Sequence, residues 1–280
     1  MVRAKANKVC KEQIGQAQNR ESPPFFVVLA RDRFHVSEKT AELESLGVPF
    51  IIVCGENIRQ PHVVYRAPIG KYDAINFVLQ ANLIPKNVKI VAFNDVDTKI
   101  TGFSSMLQRF ADPKVGIAYA TELVKDGPQR NFFAVFNPVR KLFPLAASGE
   151  LMLIRTELLH QILPLKPCKA EDTLIMFKAL ELGSKVVFCD DCFAETERTK
   201  TGQKEELYKR KTVAGIYQAL SFANPPPTVR LLYSLLPFLS IVFVVMGSDG
   251  YYTFRGILLG FLDFKRGDRS GTWDAQSYLK

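Results

Sequence analysis

Asp95 and Asp97 stand one residue apart at the end of the apolar run 88–93. The run predicts a buried strand, and ligands of open α/β sheets collect outside the carboxyl ends of strands. Two hard carboxylates there can hold Mg²⁺ or Mn²⁺, and the cation can hold a diphosphate. The competing reading is local: acidic pairs at strand ends also form ordinary turns.

Four further groups could do chemistry. Gly70-Lys71 opens a helix that also carries Asn76; a helix N-terminus with a lysine suits an anion, or is simply a solvated first turn. Ser148-Gly149-Glu150 precedes a short strand ending at Arg155, and so small a turn lets backbone approach a ligand. Glu171-Asp172 begins another helix, where acids also merely complement the dipole. Lys209-Arg210-Lys211 lies on a long helix, where a basic run is usually a solvated face.

The elements that would position these groups follow from periodicity. Apolar runs at 25–30, 49–54, 63–65 and 88–93 read as strands, and 37–46 and 70–81 as helices between them. That alternation predicts βαβ units and a mostly parallel sheet. Downstream, 102–110 reads as a helix and 115–120 as a strand. Residues 122–145 read as loop and helix, 151–154 as a strand and 174–182 as a helix. Strands at 185–189 and 193–196 and a long helix at 205–222 complete the series.

Composition narrows the class. The 280 residues are 47% hydrophobic and 23% charged, which is globular, and the formal net charge of +9 favours an anionic partner. No nucleic-acid motif accompanies that charge, so none is expected as a partner. Five scattered cysteines fit a reducing compartment. Cys189-Asp-Asp-Cys192 has half a zinc spacing with no second pair, and reads better as a strand and its turn. Residues 1–22 read as a loose polar tail, 23–224 as the principal domain, and 225–280 as an apolar appendage with a basic end.

Beyond Pro225-Pro226-Pro227, residues 231–246 carry no charge, close to the roughly 17–25 residues of a membrane span. A turn at 247–250 leads to a more amphipathic apolar segment, 251–264. Positive residues flank both sides, Arg230 before and Lys265, Arg266 and Arg269 after. Cytoplasmic flanks are the positive ones. The pattern predicts a hairpin whose two segments enter the cytoplasmic leaflet or its interface and return, on an anionic membrane surface; the competing reading is a soluble helical hairpin packed on the domain.

The order and spacing of these groups resemble the family 2 glycosyltransferases over roughly 25–273. In that family a glycine-lysine helix start with a later asparagine is followed by D-x-D at a strand end. Next come a small-residue turn with a strand ending in arginine, an E-D pair, a basic Q-x-x-R-W helix and membrane-associated helices. Gly70, Lys71 and Asn76, then Asp95 and Asp97, stand in the first two places. Ser148, Gly149 and Arg155, Glu171 and Asp172, and the run from Lys209 to Gly215 take the next three. The tail through Trp273 is similar to the end of membrane-bound members.

The resemblance implies a GT-A fold, Rossmann-like, and an inverting, Mg²⁺- or Mn²⁺-dependent transfer from a nucleoside diphosphate sugar, a UDP-sugar above others. The acceptor would be a lipid-linked or saccharide hydroxyl, on the cytosolic face of the membrane. Asp97 would bridge metal and diphosphate. Asp95 would contact ribose or sugar hydroxyls or support the metal. Lys71, Lys209, Arg210 and Lys211 would offset the leaving diphosphate. Asn76 belongs to the donor side. Ser148, Gly149 and Glu171 would face the acceptor, and Asp172 would be the base. Departures exist: the family's uracil-reading acids are replaced by Asp32 or Glu56, and the Q-x-x-R-W helix lacks Gln and Trp, which argues for single additions over polymerisation. Two alternatives stand beside this reading, a nucleotidyltransferase and a catalytically inactive, membrane-bound relative acting as a binding subunit.

Overall fold

The computed structural model describes residues 23–143 and 145–268. The expected N-terminal tail, Cys10, Arg269 and Trp273 lie outside the described residues. Eight strands form one curled sheet: β1 (Phe25–Ala30), β2 (Phe50–Cys54), β3 (Val63–Tyr65), β4 (Ile90–Asp95), β5 (Lys99–Thr101), β6 (Val115–Val124), β7 (Leu151–Arg155) and β8 (Lys185–Thr196). Their order across the sheet is β3-β2-β1-β4-β7-β6-β8-β5. Among them run α1 (Val36–Leu46), α2 (Lys71–Gln80), α3 (Phe103–Gln108), α4 (Pro128–Leu142), α5 (Thr156–Ile162), α6 (Glu171–Glu181) and α7 (Gly202–Phe222). α8 (Pro227–Leu239), a 3₁₀ turn (Ser240–Met246) and α9 (Ser248–Lys265) follow.

The sheet is mixed, against the mostly parallel expectation. β3, β2, β1 and β4 pair in parallel. β7 is antiparallel to both β4 and β6, β5 is antiparallel to β8, and β6–β8 is parallel. β8 is one strand across both expected segments, with a register shift where Asp190-Asp191 loops out between the buried Cys189 and Cys192. Both faces of the sheet are covered, which is why the strands read as continuous apolar runs. Phe25, Val27, Ile51, Val53, Val91 and Phe93 face α2, α5 and α6; Phe26, Val28, Phe50, Ile52 and Ala92 face α1 and α3.

Antiparallel β7 moves one expected residue. Ile90 at the start of β4 lies opposite Arg155, and Asn94 near its end lies opposite Leu151. Arg155 therefore sits at the far edge from Asp95, where it donates to the carbonyls of Val115 and Phe110, both at 2.8 Å.

The C-terminal elements also depart from expectation. α8 and its 3₁₀ turn present a largely exposed apolar surface, but the second segment is not a matching exposed arm. α9 packs closely against α7: a Cβ at Gly256 would meet the Glu206 carbonyl oxygen at 2.6 Å, and one at Gly260 would strike that of Arg210. Glycine is required there because two helix backbones nearly touch. Pro227–Met246 is the one helix among the described residues long and apolar enough to cross a membrane.

Candidate active site

β4 ends in Asn94-Asp95, and the chain turns through Val96 and Asp97 to Thr98. The turn is latched from three sides. The Thr98 hydroxyl donates to the Asp95 carbonyl at 2.8 Å, and the Asn94 amide donates to Thr98 at 2.8 Å and to the Glu150 carbonyl. From α1, the buried Lys39 ammonium donates to the Thr98 carbonyl and pairs with Glu42 at 2.7 Å. The acidic turn is thus rigidly held, with Asp97 exposed beyond it.

Around it converge the groups that sequence places far apart. Lys71, in the first turn of α2, donates to both carboxylate oxygens of Asp95 at 2.7 and 2.6 Å. Glu171 and Asp172 open α6, and both act on Lys71. Asp172 accepts from its neighbour Thr173 N–H at 2.6 Å. The Ser148-Gly149-Glu150 turn enters β7 beside them. A Cβ at Gly149 would lie 3.1 Å from Asp172 Oδ2, so only glycine lets this backbone approach the carboxylate without crowding it. Ser148 donates to the Glu150 carboxylate.

Sequence reasoning missed the second cation. Arg198, just past β8, is almost fully buried and pairs with Glu150. It donates to the Tyr208 hydroxyl at 2.7 Å and lies over that ring at 5.4 Å. Its Nε is buried with no hydrogen-bond partner among the described residues. No motif marked it; the available signal was an arginine following a strand that ends on the same rim.

Electrostatics sets this cluster apart. Burial pushes the Glu171 carboxyl up to about 8, against the opposing pull of Lys71, and the Asp172 charge adds to the rise. Burial also raises Asp172, and it raises Asp95 despite Lys71. Burial alone would lower Lys71, but Asp95, Glu171 and Asp172 hold it above its usual range. Arg198 is likewise held charged against burial, by Tyr208, Glu122, Asp97 and Asp95. Even with Glu171 protonated, the carboxylates of Asp95, Asp97, Glu150 and Asp172 outnumber the cations Lys71 and Arg198. A diphosphate would be repelled there without a further positive charge.

A divalent cation could supply that charge. No cluster of three or more His, Cys, Asp or Glu side chains suited to a metal occurs among the described residues. Asp97, the exposed carboxylate of the turn, is the side chain that would hold it, since both oxygens of Asp95 accept from Lys71. Mg²⁺ commonly binds in this way, through one or two carboxylates plus phosphates.

Along the same rim lies an open cleft of about 750 Å³, lined by Arg33, Phe34, Gly55, Glu56, Asn57 and Tyr65. It sits at the carboxyl ends of β1–β3. Arg33 and Glu56 pair across it at 2.6 Å, and Asp32 accepts from Phe34 N–H at 3.0 Å. Asp32 and Glu56 therefore stand at or beside the cleft.

The remaining expected residues are engaged elsewhere. The Asn76 amide brackets Leu165, donating to its carbonyl at 2.9 Å and accepting from its N–H at 2.7 Å, as a brace between α2 and the loop after α5. Along α7 each residue turns by about 100°, so with Tyr208 facing Arg198 its successors point away. Lys209 is buried above the Phe132 ring at 3.4 Å, beside Glu205 at 3.6 Å. Arg210 grips Asp263 of α9. Lys211 is half-buried on the same helix. Arg198, not Lys209 or Arg210, is the cation brought to the acids beside Lys71.

No protein-family model matches the chain, and no curated protein matches it. Among solved structures, one match is the crystal structure of A197 from STIV, 13% identical over 61% of this chain and 84% of that one, with a TM-score of 0.37. So loose a superposition carries no assignment of fold or function.

Proposed function

We propose that the protein is an inverting, metal-dependent glycosyltransferase of the GT-A, family 2 type. It would move a sugar from a nucleoside diphosphate donor, a UDP-sugar above others, to a lipid-linked or saccharide hydroxyl at the cytosolic face of a membrane. The observation that carries this reading is the meeting of Lys71, Asp95, Gly149, Glu171 and Asp172 on one rim. They come from four separate motifs and are the residues the resemblance assigns to donor, acceptor and base.

In this mechanism the nucleoside lies in the cleft at Glu56, with Arg33 and the exposed Phe34 and Tyr65 around the base. The diphosphate lies along the β4 turn. A bound Mg²⁺ or Mn²⁺ on Asp97 would supply positive charge against the leaving diphosphate. Lys71 and Arg198 add to it from the protein, and such preorganised cations act mainly where charge grows in the transition state. Inversion requires a base on the opposite face of the sugar. Asp172 takes the acceptor's hydroxyl proton as the acceptor oxygen bonds to the anomeric carbon and the bond to the diphosphate breaks. Burial raises its pKa and so makes its carboxylate a stronger base. Glu171, held protonated towards neutrality, can donate a hydrogen bond to an acceptor hydroxyl.

The test is a screen of nucleoside diphosphate sugars with Mg²⁺ or Mn²⁺, read as release of the nucleoside diphosphate and as thermal shift. The reading expects metal-dependent stabilisation by at least one donor, lost in Asp97→Ala, and slow donor hydrolysis lost in Asp172→Asn. Metal-dependent donor binding without turnover on any acceptor supports the inactive relative instead. Pyrophosphate release from a nucleoside triphosphate supports the nucleotidyltransferase.

A further inference from the structure

The helix Pro227–Met246 is apolar along its length, yet only 28% of its most apolar stretch is buried inside the protein. It is therefore not a core helix. Its inner face, Val229, Tyr233, Pro237, Ser240 and Phe243, packs on the domain. Its outer face carries Leu231, Leu235, Phe238, Ile241, Val242 and Val245, with Phe238 75% and Val245 85% exposed.

Both ends of this helix are tied to one body. At its start Arg230 donates to the Ala223 carbonyl at 3.0 Å, and the Tyr217 hydroxyl donates to the Tyr233 carbonyl at 2.7 Å. Near its end the Phe243 ring packs, tilted, at 5.3 Å from that of Phe132 of α4, and its carbonyl abuts Gly250. α9 then runs parallel to α7, with Tyr252 on Gly202, Gly256 on Glu206 and Gly260 on Arg210. The helix is thus strapped antiparallel along α7. A bilayer crossing would carry one end about 30 Å from the other, through hydrocarbon, and these ties forbid that.

The chemistry of the outer face selects its occupant. No acidic residue occurs in 227–246, and the only charge is Arg230. The exposed Ser234 hydroxyl is spent on the Arg230 carbonyl at 2.9 Å. A protein interface of useful size carries about one hydrogen bond per 100–200 Å², which this face cannot offer. α4 ends in the exposed apolar Leu142 and Phe143, after Lys141, which pairs with Asp190, and the chain after α4 returns to this helix where Tyr233 Oη accepts from Ala146 N–H at 2.9 Å. With a net charge of +9, the protein is attracted to an anionic leaflet.

We propose that the outer face of α8 and its 3₁₀ turn, with the α4 end, seats the protein in one anionic bilayer leaflet, the helix lying in the membrane plane and not across it. This deepens the membrane location in the proposed function, and its test does not depend on transfer activity.

The test uses the full chain and sealed vesicles of phosphatidylcholine with 30% phosphatidylglycerol. The wild type co-floats with vesicles, and Phe238→Glu with Val245→Glu lowers the bound fraction at least tenfold while far-ultraviolet circular dichroism is unchanged. Failure of the wild type to float, or undiminished flotation of the folded double variant, overturns the proposal. A cysteine at Val242 reacts freely with a water-soluble maleimide in vesicle-free monomer and is shielded on vesicles. Shielding without vesicles shows that a second copy or another segment of this chain covers the face, and overturns it. With protein bound from outside, a cysteine at Asp249 stays reachable from outside; if only a reagent trapped inside labels it, the helix crosses and the in-plane seat is wrong.

Discussion

The rim around Asp95 and the outer face of α8 break the burial rule in opposite senses. At the rim, carboxylates are buried: Glu171 is 6% exposed and its proton is held to about 8. On α8, large apolar side chains stand in the open. Each arrangement costs folding free energy that a protein shaped by stability alone would avoid. The remedies also differ. The rim is stabilised internally by Lys71 and Arg198, but not completely: the buried Arg198 Nε and Asn94 Oδ1 have no hydrogen-bond partner among the described residues. Nothing among the described residues covers the α8 face, and the proposed leaflet would compensate for its exposure. A buried charge cluster points to chemistry performed on a ligand, whereas an uncovered apolar face points to a surface that accepts a partner.

The largest expected effect breaks the rim. Asp172→Asn should retain donor binding and lose about 10²–10⁴-fold in transfer rate, the usual worth of a general base. Initial rates at saturating donor measure it, and near-wild-type turnover removes Asp172 from that role. Arg198→Met comes next. Removing one preorganised charge-stabilising group commonly costs about 10²–10³-fold in kcat, and here KM for donor should move less than kcat. A change confined to KM would make Arg198 a binding residue only.

The third variant sharpens the contrast through pH. The unfolded chain releases the Glu171 proton near 4.5, while the folded protein keeps it to about 8. The folded state therefore binds more protons across that window, and stability falls as pH rises through it. Each pKa unit is worth about 1.4 kcal/mol, and sharing of the cluster's charge with Lys71, Asp95 and Asp172 leaves a net effect of a few kcal/mol. Glu171→Gln should be near neutral at pH 4.5 and stabilising at pH 8, by urea denaturation at both. An equal effect at the two pH values would show that the carboxyl is not held protonated.

The smallest effect concerns the scaffold behind α8. Gly256→Ala pushes a methyl against the Glu206 carbonyl oxygen, and overpacking of this kind costs about 1–3 kcal/mol. Denaturant midpoints should fall, and vesicle binding should weaken only if α9 detaches. An unchanged midpoint would mean that α7 and α9 separate without cost.

Much of the rim was legible in sequence because its signals are local. An apolar run ending in Asp95-Val96-Asp97 puts acids at a strand end whatever the rest of the chain does. Gly70-Lys71 and Glu171-Asp172 read as helix starts by composition alone. The parallel half of the sheet, β3-β2-β1-β4, follows from alternating strand and helix signals. The apolar character of 231–246 needed only a count of charges.

Tertiary structure decided what depends on direction and azimuth. Arg155 ends a strand in the sequence, but the antiparallel pairing of β7 with β4 sends it to the opposite edge from Asp95, and strand periodicity is the same in either direction. Lys209 and Arg210 form a basic run, yet 100° per residue turns them toward Phe132 and Asp263 once Tyr208 faces inward. Arg198 has no motif and reaches the acids only because β8 runs parallel to β6, which in turn pairs with β7. Both apolar C-terminal segments read as entering the membrane, and the glycine contacts of α9 with α7 packed the second against the domain while the first stayed uncovered. Sequence carries the chemical kind of each residue and its local period; which neighbour it meets is set by non-local packing, which no window along the chain contains.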